Sequence, residues 1–240
     1  MSDFAKLDVS LLPEGSHTLG VTNSSEFTRT QRTRVQRQPA RASYDRALAY
    51  CILDEALVCA VGVSVETGPL VIPMAFARLG DQLILHGANK SRLMTQIAAG
   101  APLCVSVTLV DGLVLARSAM HHSLNYRSVV IFGRAAEIIE TAPKLEALAR
   151  LVDHVMPGRS RETRAPNDIE LKATRVFAMP IQESSVKMRS GGPIDEPEDL
   201  DLPYWAGQIP LTMSAAPPVP DDQNPVYCAT PSAAFGYRRT

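Results

Sequence analysis

The sequence contains few aromatic residues and no excess of either charge. Phe, Trp and Tyr make up 5% of its 240 residues, and Trp occurs once. The formal net charge is -1, so the chain as a whole has no electrostatic attraction to nucleic acid or to an anionic membrane. Uncharged apolar runs are also short. The longest, around residues 56–64, is far below the roughly 20 residues that a membrane-spanning helix needs. We therefore expect neither a nucleic-acid nor a membrane partner.

Cysteine is scarce as well, and its spacing fits neither a disulfide framework nor a zinc site. Cys51, Cys59, Cys104 and Cys228 show no paired spacing, and the first three lie in apolar segments. Buried free thiols in a reducing compartment fit this pattern better. Residues 1–10 mix charged and apolar residues, whereas a secretory leader starts basic and continues with an apolar run. We expect a cytoplasmic protein.

The two ends of the chain differ from its middle in composition. Residues 1–40 lack apolar periodicity and are locally basic, so we interpret them as a basic N-terminal arm. Their closely spaced arginines are Arg29, Arg32, Arg34 and Arg37. Residues 191–240 are rich in proline and include an acidic run at 195–201, which predicts a Pro-rich acidic C-terminal extension. The ends either contact each other or a partner subunit, or are solvated termini. Residues 41–190 are the predicted folded domain.

This middle region is dominated by strand-like segments. Alternating or Val-rich runs occupy residues 57–65, 70–78, 82–87, 103–110, 113–120, 126–140 and 174–188. Asp111-Gly112 between two of these runs is a strong hairpin signal. Helical periodicity is confined to three stretches, of which the first is predicted to be capped by Ser43. Because strands do not alternate with helices, we predict a mainly β fold with peripheral helices, a six- to seven-stranded antiparallel barrel.

The most informative local pattern is a hairpin that leads into the start of a helix. Residues 70–78 and 82–87 flank a tight turn, and a short helix follows from Ser91. Free backbone N–H groups at a helix start attract anions, and Lys90 and Arg92 add two positive charges there. The pattern is consistent with a phosphate site. The alternative is that Ser91 only caps the helix while both cations are solvated.

Four short segments occur in a defined order between residues 41 and 191. They are Tyr44-Asp45-Arg46-Ala47, Ile52-Leu53-Asp54-Glu55-Ala56, Leu85-His86-Gly87 followed by Ser91-Arg92, and Asn125-Tyr126-Arg127-Ser128-Val129-Val130-Ile131-Phe132-Gly133. In this order and with these spacings, the chain resembles the FMN-binding split-barrel family. The similar branch is the one related to pyridoxamine phosphate oxidase and to nitroimidazole-resistance flavoproteins.

The resemblance implies a split form of the barrel, a bound FMN, and a homodimer in which each flavin site is shared between subunits. It implies a phosphate held by Ser91 and Arg92, with Lys90 as a third contact. The other implied contacts within one subunit, to the flavin ring and its tail, are Val71, Ile72, Pro73, Met74, His86, Gly87 and Ser128. Those implied from the partner subunit are Lys187, Arg189 and Trp205. Solvated edge charges are the alternative interpretation of Lys187 and Arg189.

The activity implied by the resemblance is that of an FMN-dependent oxidoreductase of unknown substrate, supplied with electrons by a nicotinamide or another small reductant. Leu93 stands where the oxidases commonly have a lysine, and their Arg–His ending is missing, which argues against vitamin B6 oxidation. The alternative is a non-catalytic protein that stores or senses flavin, or that holds a deazaflavin or a haem in the same cleft.

Ser118, His121 and His122 also lie close together in the sequence. No glycine elbow surrounds the serine, so hydrolysis is disfavoured. The two histidines lack further Cys, His or carboxylate ligands at useful spacing for a metal site, and a turn that accepts polar residues is the better interpretation. A role for one of them beside the flavin stays open.

Overall fold

The computed structural model describes residues 24–225 and 228–238, so most of the predicted arm, residues 1–23, lies outside the described residues. Ten strands occur within the described part. They are β1 (Ala42–Ser43), β2 (Val58–Val65), β3 (Gly68–Leu79), β4 (Gln82–Ala88), β5 (Leu103–Leu115), β6 (Ser123–Gly133), β7 (Ala136–Glu137), β8 (Thr174–Pro180), β9 (Glu183–Arg189) and β10 (Gly207–Pro210). The helices are α1 (Arg46–Glu55), α2 (Arg92–Ala98), α3 (Thr141–Val155) and α4 (Asp168–Ala173).

The order of the strands forces the sheet to curl. That order is β1-β9-β6-β5-β2-β3-β4-β8-β7, with β10 on β5. In a flat sheet with about 4.8 Å between strands, β9 and β8 would be roughly 29 Å apart. Only Ile181 and Gln182 separate these two strands in the chain, and three Cα steps reach at most about 11 Å. The sheet therefore bends until β8 and β9 lie side by side, although no β8–β9 pairing occurs among the described residues.

This architecture confirms the predicted fold class, an antiparallel split barrel with peripheral helices. Seven strands have seven or more residues, and three shorter ones, β1, β7 and β10, complete the sheet. All pairings in the sheet are antiparallel. No helix in the described part of the chain is both long and apolar enough to cross a membrane.

Strand β4 is buried on both faces and separates two cores. Leu83 and Leu85 belong to the barrel interior, whereas Ile84 belongs to a smaller core beneath α3 that includes Ala147 and Leu151. This explains why Leu83-Ile84-Leu85 is a continuous apolar run instead of an alternating one. Each such side chain contributes about 1.5–3 kcal/mol through burial.

Two local predictions need correction. The cap of α1 is Asp45, whose carboxylate accepts the Leu48 N–H at 2.6 Å, and not Ser43, which pairs with Val186 in the sheet. The four cysteines are free as expected, but Cys51 is exposed on α1 and Cys228 is exposed as well. Only Cys59 is buried, and burial raises the pKa of its thiol to about 12.

The prediction of a hairpin at Asp111-Gly112 is wrong, because β5 continues through it as one strand. Its pairing with β6 shifts register between Val110 and Gly112, so the pair forms a bulge. Arg127 holds the bulge by donating to both Asp111 oxygens, at 2.7 and 2.9 Å, and also binds Glu55 of α1. These contacts, distant in sequence, outweigh the local turn preference of Asp-Gly.

The described part of the arm packs on the barrel. Phe27 and Thr33 are buried, and the backbone of Glu26 forms a bridge with Asp45. The guanidinium of Arg46 lies 4.6 Å from the centre of the Phe27 ring. Arg32 pairs with Glu183 of β9. Residues 24–40 are therefore attached by apolar burial as well as by charge.

Gly112 is expected to be required for the docking of β10 on the bulge. A Cβ at this position would lie 3.0 Å from the Ile209 carbonyl oxygen, so Gly112→Ala should displace β10 and cost about 1–3 kcal/mol of unfolding free energy. Urea denaturation measures the cost, and amide exchange at residues 207–210 reports the displacement. Gly192→Ala is the control, since nothing lies within 4 Å of its added Cβ. Equal stability of the two variants would contradict the prediction.

Candidate functional site

Strands β3 and β4 part from each other halfway along β3. They pair only from Phe76↔Leu85 to Leu79↔Gln82. Before this point β3 pairs with β2 alone, and beyond it β4 pairs with β8 alone. We call the resulting opening, formed by residues 70–75 and 86–92, the β3–β4 fork. The fork brings together three groups of residues predicted from the sequence to contact the flavin, namely 71–74 on β3, 86 and 87 on β4, and 90–92 at the start of α2.

The β3 side of the fork is an exposed and partly apolar strand edge. The side chains of Val71 and Ile72 are 61% and 37% exposed, Pro73 is exposed, and Met74 is half-buried. Residues 70–75 have no strand partner on the β4 side among the described residues. Their backbone N–H and C=O groups on that side are therefore available to a ligand, except at Pro73, which has no N–H.

His86 lies opposite this edge and on the same face of the sheet as Val71 and Pro73. Ala77 of β3 and Ile84 of β4 are register partners, and both face the core beneath α3. Side chains alternate along a strand, so Val71 and Pro73 share the face of Ala77. His86, two residues after Ile84, points to this face as well. The His86 Nδ1 atom is buried and has no hydrogen-bond partner in the described part of the molecule. Desolvation by burial lowers the pKa of this imidazole below 6.5. A buried polar atom without a partner is costly, so Nδ1 is a candidate contact for a ligand.

Gly87 and Ser91 have structural roles at the fork. A Cβ on Gly87 would lie 2.9 Å from Met94 Cγ, so the glycine permits α2 to pack closely on β4. The Ser91 hydroxyl accepts the Met94 N–H at 3.2 Å and thereby caps α2. The sequence analysis gave this capping role of Ser91 as the alternative to phosphate binding. It does not preclude a further contact through the second lone pair of the hydroxyl oxygen.

Lys90 and Arg92 supply the positive charge of the fork. Both are exposed, and neither forms an ion pair within residues 24–225 and 228–238. Because α2 has only seven residues, its dipole is small, and attraction of an anion depends mainly on these two side chains. The site therefore combines an apolar edge, an unsatisfied imidazole nitrogen and two free cations.

The remaining predicted residues lie on another part of the sheet. Strands β6 and β9, which carry Ser128, Lys187 and Arg189, are separated from β3 by β5 and β2. The Ser128 hydroxyl donates to the Lys187 carbonyl oxygen at 2.9 Å. Arg189 is buried and donates to the Asn125 side chain and to the carbonyls of residues 191 and 192, so it is not a solvated edge charge. Trp205 is 66% exposed beside β10.

A second opening, which we call the cationic cavity, has a volume of about 640 Å³. Its polar lining consists of Arg37, Gln38, Arg41, His121, His122, Ser123, Lys187, Arg189 and Glu196. Sequence reasoning missed this site because its walls come from the arm, β6, β9 and the C-terminal extension. Its signals in the sequence were the alternation of Lys187 and Arg189 and the adjacent pair His121 and His122.

A larger cavity of about 910 Å³ is lined by arm residues between 29 and 39 together with Ala42 and Tyr44. The Arg29 guanidinium is stacked 4.6 Å from the centre of the Tyr44 ring there, so this cation is already engaged by the folded domain. The described residues include no group of three or more His, Cys, Asp or Glu side chains arranged to hold a metal ion.

Comparison with known proteins gives one family and a set of related folds. The model of the family described as pyridoxamine 5'-phosphate oxidase matches residues 45–188. No match was found among curated proteins.

Two solved structures are similar over most of the chain. The flavocytochrome Anf3 from Azotobacter vinelandii is 37% identical, with a TM-score of 0.83, over 88% of this chain and 98% of that one. The FAD and haem binding protein from Mycobacterium smegmatis is 34% identical, with a TM-score of 0.79, over 83% and 98%. A candidate 5-nitroimidazole antibiotic resistance protein from Bacteroides thetaiotaomicron shares the fold, at 22% identity and a TM-score of 0.52, over 61% and 85%.

Burial of His86 has a consequence for the ligand-free protein. The unfolded chain binds a proton at a pKa near 6.5, whereas the folded state binds it only at lower pH. Stability is therefore lost as the pH falls below the unfolded value, and it is retained above that value. Urea denaturation of wild type and His86→Gln at about pH 7.5 and about pH 5.5 measures this linkage. The variant should show the smaller loss of stability on acidification. Equal losses in the two proteins would contradict the assignment.

Proposed function

The chain belongs to the pyridoxamine 5'-phosphate oxidase family, and we propose that its β3–β4 fork binds the flavin mononucleotide part of a flavin. One observation carries the proposal: an open strand edge, an unsatisfied imidazole nitrogen and two free cations meet in the same opening. Each matches a different part of the ligand. Val71, on the face of the sheet that carries His86, offers apolar surface to a flat ring, and Lys90 and Arg92 offer charge-assisted hydrogen bonds to a phosphate.

The free backbone of β3 provides directional contacts. N–H and C=O groups along residues 70–75 match the alternating donors and acceptors on the polar edge of a flavin ring. His86 Nδ1 and a second lone pair of the Ser91 hydroxyl would complete the contacts within one subunit. Gly87 contributes indirectly, through the position that it allows α2 to take.

FMN is the flavin that we propose, and FAD is its competitor, because the relative from Mycobacterium smegmatis is described as binding FAD. Both molecules contain the portion that the fork accommodates. Acid release of the co-purified flavin followed by mass measurement distinguishes them.

We further propose an oxidoreductase. A bound flavin would supply hydride and electron transfer, so the chain itself has only to hold the ring, leave one face accessible and exclude water. Leu93 is buried in the barrel core, so it takes no part in substrate binding. Reduction by NADH or NADPH with turnover on an acceptor separates an enzyme from a protein that only stores flavin. The free thiols support the proposal of a cytoplasmic location.

The site is proposed to be completed in a homodimer. Of the late-chain residues implied by the family, Arg189 is engaged by its own chain, and Lys187 faces the cationic cavity. Trp205 is 66% exposed, so we propose that the partner subunit covers the flavin with this side chain.

Haem is a second proposed ligand, in addition to flavin. Two relatives above 30% identity are a flavocytochrome and a protein described as binding FAD and haem. His121 and His122, which line the cationic cavity, offer the imidazole that a haem iron commonly takes as a ligand.

Loss of the phosphate contact should weaken flavin binding without unfolding the protein. Removing one charge-assisted contact costs about 1.5–3 kcal/mol, so Arg92→Ala should raise the flavin Kd roughly 10- to 100-fold. Fluorescence titration of the ligand-free protein measures the Kd. Arg159→Ala, which removes a half-buried arginine paired with Glu162 after α3, is the matched control and should bind like wild type. Unchanged affinity of Arg92→Ala would count against the phosphate assignment.

A shared site can be tested by complementation. If Trp205 acts across the interface, Arg92→Ala and Trp205→Ala each damage both sites of their own homodimer. Mixing them after dissociation should yield heterodimers with one doubly damaged and one intact site, and flavin binding should recover in part. No recovery in verified heterodimers would show that the two residues act on the same site within one chain.

A further inference from the structure

Four positively charged side chains line the cationic cavity, and they come from two separate parts of the chain. Arg37 and Arg41 belong to the segment before β1, whereas Lys187 and Arg189 belong to β9. Ala42 of β1 is the register partner of Lys187, so the pairing of these strands brings Arg41 next to β9. Lys187 and Arg189 are two residues apart on one strand, so their side chains share a face. The fold itself therefore brings these charges together.

The rest of the lining does not balance these charges. Arg37, Arg41 and Lys187 form no ion pair within the described part of the chain. Arg189 is buried, and the groups that accept its printed hydrogen bonds are one side-chain amide and two backbone carbonyls, all neutral. Glu196 is the one carboxylate in the described lining, and its side chain is 62% exposed. The cavity therefore has an excess of positive charge.

Two of the cations also repel each other. Burial, together with the charge of Arg41, lowers the pKa of the Arg189 guanidinium. Like charges that the fold holds close together cost free energy in the ligand-free protein. An anion between them would replace this repulsion by attraction to both.

The backbone of the cavity wall contains a strained residue. Gln38 has φ 57° and ψ 58°, and it is the one non-glycine residue with positive φ in residues 24–225 and 228–238. The left-handed conformation costs a residue other than glycine about 1–2 kcal/mol. The short 3₁₀ turn Pro39–Arg41 begins directly after it. The arm therefore adopts a costly conformation at the point where its two arginines enter the lining.

The shape and the composition of the cavity restrict the class of ligand. Its apolar lining side chains, Met120 and Ile194, are 86% and 74% exposed, so they provide no wall for a ring system. A haem ligated by His121 or His122 would for this reason lie largely outside the cavity. The volume of about 640 Å³ lies within the range of small-molecule pockets, roughly 300–1,000 Å³. A small and strongly polar ligand fits best.

The charge of the lining points to phosphate chemistry. A phosphate monoester carries about −1.5 to −2 charges at pH 7, whereas a carboxylate carries one, so phosphate or diphosphate neutralises several cations better. Arginine donates paired hydrogen bonds to phosphate oxygens, and lysine adds a compact positive charge. The Gln38 amide and the Ser123 hydroxyl are neutral donors in the same lining.

We propose that the cationic cavity binds the phosphate or diphosphate group of a small molecule, with Arg37, Arg41 and Lys187 as its charged contacts. Arg189 adds positive charge while its guanidinium stays bonded to its own chain. Within one subunit this site is separate from the fork, because β5 and β2 lie between the strands of the cavity and β3. The proposal depends on neither the flavin nor the haem part of the proposed function.

The test is isothermal titration calorimetry of the full-length protein with pyrophosphate. The buffer is Tris-chloride at about pH 7.5, where a phosphate group carries close to two negative charges. Wild type should bind one pyrophosphate per chain, inorganic phosphate more weakly and acetate not detectably. Added KCl should weaken the binding through screening. The proposal fails if millimolar pyrophosphate gives no binding heat.

Neutral substitutions locate the bound anion. Arg37→Gln and Lys187→Gln should each weaken pyrophosphate binding roughly 10- to 100-fold, because each removes a charge-assisted contact. Arg34→Gln is the matched control, since Arg34 is an exposed arginine of the same arm that lines the larger cavity instead. It should bind like wild type. Equal affinities of Arg37→Gln and Arg34→Gln would overturn the assignment.

Replacement of the acidic residue separates a charge effect from damage to the cavity. Glu196→Gln should strengthen pyrophosphate binding roughly two- to fivefold, because it removes the negative charge that opposes the anion. A variant that only disturbed the lining would bind more weakly, and that result would count against the proposal.

Two further measurements identify the site and the source of the anion. Arg92→Ala should bind pyrophosphate like wild type; if it loses binding while Arg37→Gln keeps it, the anion occupies the fork and the cavity proposal is overturned. Adenosine diphosphate is the second probe. Tighter binding than that of pyrophosphate indicates a nucleotide, and equal or weaker binding indicates the diphosphate group alone; both results support the site.

Discussion

The separation of β3 from β4 is the constraint from which the candidate flavin site follows. The pairing of β3 with β4 begins at Phe76↔Leu85. The part of β3 before Phe76 pairs only with β2, and the part of β4 after Leu85 pairs only with β8. A closed barrel would have satisfied the backbone groups of residues 70–75 within the sheet. Because they are left open, the fold keeps a row of donors and acceptors beside exposed apolar side chains. Burial of β4 on both faces stabilises this arrangement without help from a ligand.

Long-range charge contacts determine how the rest of the barrel is arranged around this opening. Arg127 joins the β5 bulge to α1, and the half-buried ion pairs with Asp111 and Glu55 raise the pKa of its guanidinium. Arg32 ties the arm to β9, and Arg117, which follows β5, binds Asp195 of the C-terminal extension. Lys90 and Arg92 at the fork, and Arg37, Arg41 and Lys187 in the cationic cavity, have no such ion-pair partner among the described residues.

Features with local causes could be predicted from the sequence. The hairpin of β3 and β4 and the helix after Ser91 depend on nearby turn and cap residues, and Gly100, at φ +75°, ends α2 as expected. The Asp111-Gly112 hairpin was wrong because Arg127 and β10, both distant in sequence, determine the conformation there. The cationic cavity could not be predicted because residues near 40, 120, 188 and 195 form it together. Alternation on one strand shows which residues share a face but not which segment packs on it.

The walls of the cationic cavity also constrain the order in which the molecule assembles. Arg37 and Arg41 precede the barrel in the chain, and Ile194 and Glu196 follow it, so the cavity exists only after both flanking segments have docked. A folding intermediate with a complete barrel and loose flanks would already contain the fork but not this cavity. A ligand bound in the cavity would contact both flanking segments, and its binding free energy would stabilise their docking on the barrel.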